Sequence, residues 1–130
     1  MNRQILANLF FVFWLALFAV GCMNKTMGNS RKQDLEKVSA LNTELGFRYM
    51  QEREYDLANK KIEKALAANP KNPEAHNAMG LLKNVLGKSK AAESAFARAV
   101  ELSDNGPAIS NNYGQFLCQQ GRYEEGIKYL

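Results

Sequence analysis

The sequence offers few side chains that could carry out chemistry. His76 is the only histidine, and the two cysteines, Cys22 and Cys118, are far apart in the chain. A metal site or a Ser–His–acid system needs several such groups at one place. We therefore predict a protein that is not an enzyme and needs no metal or cofactor. We expect His76 to pack between helices and Cys118 to be a free, inert thiol.

The segment Gly87-Lys88-Ser89 matches the end of a phosphate-binding loop. That loop also requires a glycine five residues before its second glycine, and this position is Leu82. No strand pattern precedes the segment. We interpret it as the turn of a helical hairpin.

Composition excludes several classes of protein. The chain carries 17 Lys+Arg against 13 Asp+Glu, and this net charge of +4 is too small and too dispersed for a nucleic-acid footprint. The strongly apolar residues are concentrated in one N-terminal run, which excludes a multispanning membrane protein. We expect a membrane and another protein as partners, and no nucleic acid or small-molecule substrate.

Residues 1–21 have the three-part layout of a secretion signal. A short polar start with Arg3 precedes an apolar run at residues 5–20 and then Gly21. The run lies at the lower edge of the roughly 17–25 residues that a bilayer span needs. An uncleaved anchor and ordinary cleavage remain the alternatives to the lipid anchor described next.

The four residues Ala19-Val20-Gly21-Cys22 resemble the lipobox of bacterial lipoproteins. The resemblance implies that Cys22 receives a diacylglycerol thioether and becomes the first residue after cleavage. The residue after Cys22 is Met23 rather than Asp. By resemblance to the sorting rule of these lipoproteins, this implies transport to the outer membrane, with the chain on its periplasmic face.

A polar segment follows the candidate lipidation site. Residues 22–33 show no apolar periodicity, and we predict a lipidated tether there. Ser30 and Gln33 have the spacing of a capping box, which predicts a helix from about Arg31.

The remainder of the chain repeats with a period of 34 residues. The period relates Gly46, Gly80 and Gly114, and it also relates Ala58 to Ala92. This pattern resembles the tetratricopeptide repeat (TPR), in which each repeat is a pair of helices. We predict an all-α TPR solenoid over residues 34–130, with repeats at about 39–72, 73–106 and an incomplete 107–130. The incomplete unit indicates a piece of a longer protein.

Each feature of the repeat predicts a packing role. We expect the three glycines to lie where paired helices cross, opposite Ala58 and Ala92. Apolar stripes are predicted to be buried, and Asn72-Pro73 predicts a capped helix start. Gly126 stands where the repeat usually has Ala, and we expect it to loosen the last hairpin. The predicted stripes comprise Leu41, Leu45 and Tyr49 on one helix, and Leu57, Ile62, Ala65 and Leu66 on the next.

The third repeat resembles one particular group of TPR proteins. Residues 111–118, NNYGQFLC, followed by residues 121–125, GRYEE, resemble the type IV pilus biogenesis lipoproteins of the PilW/PilF kind, as does the lipobox. The resemblance implies an outer-membrane lipoprotein that promotes localisation and multimerisation of the pilus secretin. Two alternatives remain: another periplasmic TPR scaffold, for barrel assembly or cell-wall regulation, and the anchor region of a longer enzyme.

The first helices of the repeats are expected to line a concave, partner-binding face. Amides there can pair with both N–H and C=O groups of an extended peptide. Glu74 is the one charged residue that we place on this face, so we expect an apolar or neutral segment as ligand. The alternative is that some of these residues, above all Phe47 and Leu81, merely pack between repeats. Ala40 is also expected to line this face. The candidate peptide-binding residues are Thr43, Phe47, Met50, Asn77, Leu81, Asn84, Asn111 and Gln115.

Overall fold

The computed structural model describes residues 28–130, and these form helices and turns. Contacts divide the chain into two units, Met1–Asp34 and Leu35–Leu130. The predicted all-α class is confirmed, whereas the signal segment and the first half of the tether, including Cys22, lie outside the described residues. The helices are α1 (residues 28–51), α2 (Tyr55–Ala68), α3 (Pro73–Val85), α4 (Ser89–Leu102), α5 (Pro107–Gln119) and α6 (Tyr123–Gly126), followed by a 3-10 turn at Ile127–Tyr129.

Helix α1 includes residues that were predicted to belong to the tether. It is already helical at Gly28, so the predicted start near Arg31 is wrong. The added residues Gly28, Asn29 and Ser30 are weak helix formers, and they can be helical because extending an existing helix is far easier than nucleating one. None of the helices within residues 28–130 is both long and apolar enough to cross a membrane.

The turns inside the hairpins repeat with the same period as the sequence. Arg53, Gly87 and Gly121 are 34 residues apart and have φ values of 62°, 72° and 80°. Left-handed backbone of this kind ends a helix sharply. Gly87-Lys88-Ser89 is therefore the α3–α4 turn, as predicted.

Replacing Arg53 by glycine is expected to stabilise the protein. A side chain in left-handed backbone costs about 1–2 kcal/mol, and the greater freedom of unfolded glycine offsets roughly 0.5–1 kcal/mol of that gain. We expect Arg53→Gly to raise the free energy of unfolding by about 0.5–1 kcal/mol in urea titrations. Gly87→Ala, the converse change at the equivalent position, should lower it. A loss of stability in Arg53→Gly would contradict this account of the turn.

The glycines at the helix crossings are confirmed as points of close approach. A Cβ atom on Gly46 would lie 2.6 Å from Cγ1 of Ile62, and one on Gly80 would lie 2.7 Å from Cδ1 of Phe96. The nearest facing side chains are Ile62 and Phe96, and the alanines lie on the facing second helices as predicted, with the carbonyl oxygen of Ala58 3.7 Å from a Cβ on Gly46. Ala58 and its equivalent Ala92 are fully buried one helical turn earlier, where they let the second helix approach.

The expected loosening at Gly126 does not occur. A Cβ atom there would lie 2.5 Å from Sγ of Cys118 and 2.8 Å from the carbonyl oxygen of Gly114. The missing methyl group therefore lets α6 approach α5 more closely. Cys118, a free thiol, lies in this contact.

Two apolar clusters hold the helices together. One contains Ala58, Ile62, Ala78 and Leu82, with Phe47, Tyr49, Met50, Tyr55, Leu66 and Met79 packed against it. The other contains Ala92, Phe96, Ala99, Val100, Ile109, Tyr113, Phe116 and Leu117. The predicted burial of Leu41 and Leu57 is wrong, since they are 57% and 39% exposed. No preceding repeat covers Leu41 within residues 35–130, and Leu57 lies beside the buried Ala58 rather than on its face of α2.

Ionic contacts join α4 to the last hairpin. The guanidinium of Arg122 donates to Glu93 and holds both carboxylate oxygens of Glu125, at 2.7 and 2.8 Å. This hydrogen bonding lowers the pKa of the Glu125 carboxyl. Arg122, which belongs to the GRYEE segment, therefore positions the start of α6.

Candidate peptide-binding face

Helices α1 and α3 are fixed to each other by a buried polar network at the first repeat boundary. Asn72 caps α3 by accepting hydrogen bonds from the backbone N–H groups of Glu74 and Ala75, at 3.0 and 3.2 Å, so the predicted cap is confirmed. The amide of Asn72 also donates to Oγ of Ser39 at 2.8 Å and to Oγ1 of Thr43 at 3.3 Å. One side chain thus starts α3 and sets its position against α1.

A groove of about 290 Å³ lies beside this network. The exposed surface of the groove is almost entirely apolar, and its lining residues include Ala40, the half-buried Phe47, Glu44 and Glu74. An apolar side chain would replace water there at a gain of about 25 cal/mol per Å² of buried apolar surface. This apolar lining is compatible with an apolar or neutral ligand, which stays a prediction.

The predicted amides do not form a free ladder for a peptide. Asn112 donates to Oδ1 of Asn77 at 3.1 Å, and Asn84 donates to Oε1 of Gln119 at 3.0 Å. Both bonds join α3 to α5. They therefore hold neighbouring repeats together, and Asn77 is only 7% exposed.

The eight predicted residues divide into three groups by their surroundings. Thr43 and Asn77 are buried in hydrogen-bond networks and Asn84 is bonded to α5. The half-buried residues Phe47, Met50 and Leu81 pack against the two clusters, so the packing alternative holds for them in part. Asn111 and Gln115 make no side-chain hydrogen bond among the described residues, and Gln115 is exposed. Phe47 is the predicted residue that combines packing with an open groove.

The sequence analysis missed Asn72 and Glu44 as parts of the site. Asn72 was assigned only a capping role, although Ser39 and Thr43 precede it by about one repeat and can meet it across the α1–α3 contact. Glu44 was not placed on the concave face, although it lies four residues after Ala40 and three before Phe47, within one helical turn of both. No group of three or more His, Cys, Asp or Glu residues able to hold a metal occurs within residues 28–130. His76 Nε2 lies 2.9 Å from the carbonyl oxygen of Pro70, which gives this ring a structural contact.

Comparisons with known proteins agree with the repeat architecture. The tetratricopeptide repeat pattern matches residues 43–107 and 78–130. The type IV pilus assembly protein PilF of Pseudomonas aeruginosa is 31% identical over 121 residues, which cover 92% of this chain and 48% of PilF. The chain thus spans about half the length of this curated relative.

Solved structures give the same result. The structure of P. aeruginosa PilF matches with a TM-score of 0.72 and 27% identity, covering 74% of this chain and 43% of that one. The type IV pilus biogenesis factor PilW matches with a TM-score of 0.68 and 33% identity, covering 71% and 42%. MamA, at 20% identity and a TM-score of 0.62 over 70% and 53%, shows the fold alone. The resemblance to PilW and PilF is confirmed, and the chain belongs to the tetratricopeptide repeat family.

Proposed function

We propose that this chain acts as a non-catalytic lipoprotein that assists type IV pilus assembly. Cys22 carries the lipid anchor and places the repeats on the periplasmic face of the outer membrane. The repeats bind the pilus secretin and promote its localisation and multimerisation. Similarity to PilF and PilW supports the pilus role, and the α1–α3 groove is the observation that supports a binding role.

The groove suits an extended, apolar or neutral segment that offers one apolar side chain. This side chain would contact Ala40 and Phe47. Burying one such apolar side chain contributes about 1.5–3 kcal/mol. A side chain that fills the groove is therefore expected to lower its affinity for the secretin segment.

Filling the groove tests this function. Ala40 is exposed and lines the groove, so Ala40→Lys adds bulk and charge there without removing a buried contact. We expect binding to weaken by roughly tenfold to a hundredfold. Secretin multimers on unheated gels should fall in cells that carry the change in the full-length protein.

The matched control is Ala91→Lys, at an exposed alanine of α4 that does not line the groove. It should leave secretin multimers unchanged, and both variants should keep parental protein levels and membrane fractionation. Parental multimer levels in Ala40→Lys would contradict the groove as the binding site. A triple change of Asn77, Asn84 and Asn111 to Ala is less informative, because two of these amides also join α3 to α5.

A further inference from the structure

Helix α1 carries an apolar stripe that the rest of the repeat array leaves uncovered. We define the α1 stripe as Val38, Leu41 and Leu45. Val38 is 39% exposed and Leu41 is 57% exposed, and Leu45 is half-buried. The spacing of three and four residues places them on one side of the helix. The stripe is therefore a continuous apolar surface.

The same positions are covered in the later repeats. The equivalents of Leu41, 34 and 68 residues further on, are Ala75 at 0% exposure and Ile109 at 7%. There, each first helix packs against the repeat that precedes it. No element within residues 35–130 covers the α1 stripe in this way.

Charged residues next to the stripe indicate what covers it. Lys37 and Glu44 are seven residues apart, so they lie on the same flank of α1, and both are exposed. Glu44 also forms an exposed ion pair with Arg48 of its own helix, at 3.5 Å, which a second copy's Lys37 can join or replace. When two such helices pack antiparallel, Lys37 of one copy lies opposite Glu44 of the other, and the twofold axis forms this pair twice. In a parallel pairing, Lys37 of one copy lies level with Lys37 of the other, and Glu44 lies level with Glu44. Lys37 and Glu44 of different copies then lie two helical turns apart. The charge pattern thus favours an antiparallel pair of identical helices.

We propose that a second copy of this chain covers the α1 stripe, with the two α1 helices antiparallel. Val38 of each copy packs against Leu41 of the other, and two Lys37–Glu44 ion pairs flank the apolar contact. With about 100° of rotation per residue, Ala40 and Phe47 lie well away from the stripe on α1, whereas Glu44, which also lines the groove, lies between the two surfaces. The dimer therefore leaves the apolar part of the α1–α3 groove open and borders it at Glu44.

A charge exchange tests this proposal on the full chain, purified in a nonionic detergent. The protein mass in the micelle is measured by light scattering across a dilution series. We expect Lys37→Glu and Glu44→Lys each to weaken dimerisation by about tenfold, because like charges then face each other twice. The double variant, Lys37→Glu with Glu44→Lys, should recover parental dimerisation. A purely structural role would not give this recovery, since two helical turns separate the residues within one chain.

A second variant tests the apolar contact. Leu41→Asp should abolish the dimer and leave helicity intact, because Leu41 is already largely exposed. Leu57→Asp, at an exposed leucine on α2, is the matched control and should leave the dimer unchanged. A parent chain that is monomeric throughout the dilution series would overturn the proposal, and coverage of the stripe by residues 1–27 of the same chain would have that outcome. A double variant that stays as weak as the single variants would also overturn it. Leu41 is not among the residues that line the groove, so Leu41→Asp tests the dimer without altering the groove, and failure of the groove and failure of the dimer are distinguishable.

Discussion

Gly80→Leu is expected to destabilise the repeat array strongly. A Cβ atom at this position would lie 2.7–2.8 Å from three ring atoms of Phe96. The ring has little room to move, because it is fully buried and packs on Tyr113 and Phe116 with centroids 6.2 and 5.2 Å away. Overpacking of this kind costs about 1–3 kcal/mol or more. For a domain of this size, each kcal/mol lowers the midpoint of thermal unfolding by roughly 4–8 °C.

Thermal unfolding followed by circular dichroism measures this effect. Ala91→Leu introduces the same side chain at an exposed position of α4 and should leave the midpoint nearly unchanged. Gly46→Leu should also destabilise the protein, because its Cβ would lie 2.6 Å from Cγ1 of Ile62. An unchanged midpoint in Gly80→Leu would contradict the helix crossing at this glycine.

The 34-residue period was sufficient to predict the helical hairpins. Small residues and glycine turns depend on local geometry that is the same in every repeat, so Gly46, Gly80 and Gly87 have the predicted roles. Burial of an apolar residue depends also on its neighbour. Leu41 has the pattern of a core residue, yet it belongs to the first repeat and lacks the contact that buries Ile109. Burial therefore depends on the position of a repeat within the array, and the sequence period alone does not predict it.

The binding face was predicted only in part, for a related reason. Amide side chains can bond to a ligand or to each other with equal chemistry, and sequence does not distinguish the two. The structure pairs Asn77 with Asn112 and Asn84 with Gln119, in each case 35 residues apart. A period of 34 residues places such pairs nearly level on adjacent first helices. The spacing of these amides therefore already allowed the prediction that they pair with each other. Amides that pair in this way are not free to bind a peptide.

The groove and the predicted lipid anchor lie in different parts of the chain and can be changed independently. The groove between α1 and α3 is formed entirely by residues 40–74. A change at residue 22 leaves that groove chemically unaltered and affects only where the protein is held. If a change at residue 22 reduces secretin assembly while the repeats stay folded, the cause is the altered location of the protein.

Cys22→Ser is expected to abolish acylation and outer-membrane localisation. A thioether requires the sulfur atom, and a hydroxyl is a far weaker nucleophile than a thiolate. Each buried CH₂ of an acyl chain contributes about 0.8 kcal/mol, and stable anchoring takes two chains or an equivalent second signal. Without them, the proposed lipoprotein is released or remains unprocessed. Labelling with radioactive palmitate and membrane fractionation on a density gradient measure the two effects.

Cys118→Ser is the matched control, because it removes the other cysteine of the chain. It should keep the parental label and the parental fraction. A parent chain that carries no label and still fractionates with membranes would support an uncleaved anchor at residues 5–20, and it would contradict lipidation. Label that persists in Cys22→Ser would place the acyl group elsewhere. Loss of label together with reduced secretin multimers, in a protein with parental helicity, is the result expected if the anchor delivers an intact repeat array to the outer membrane.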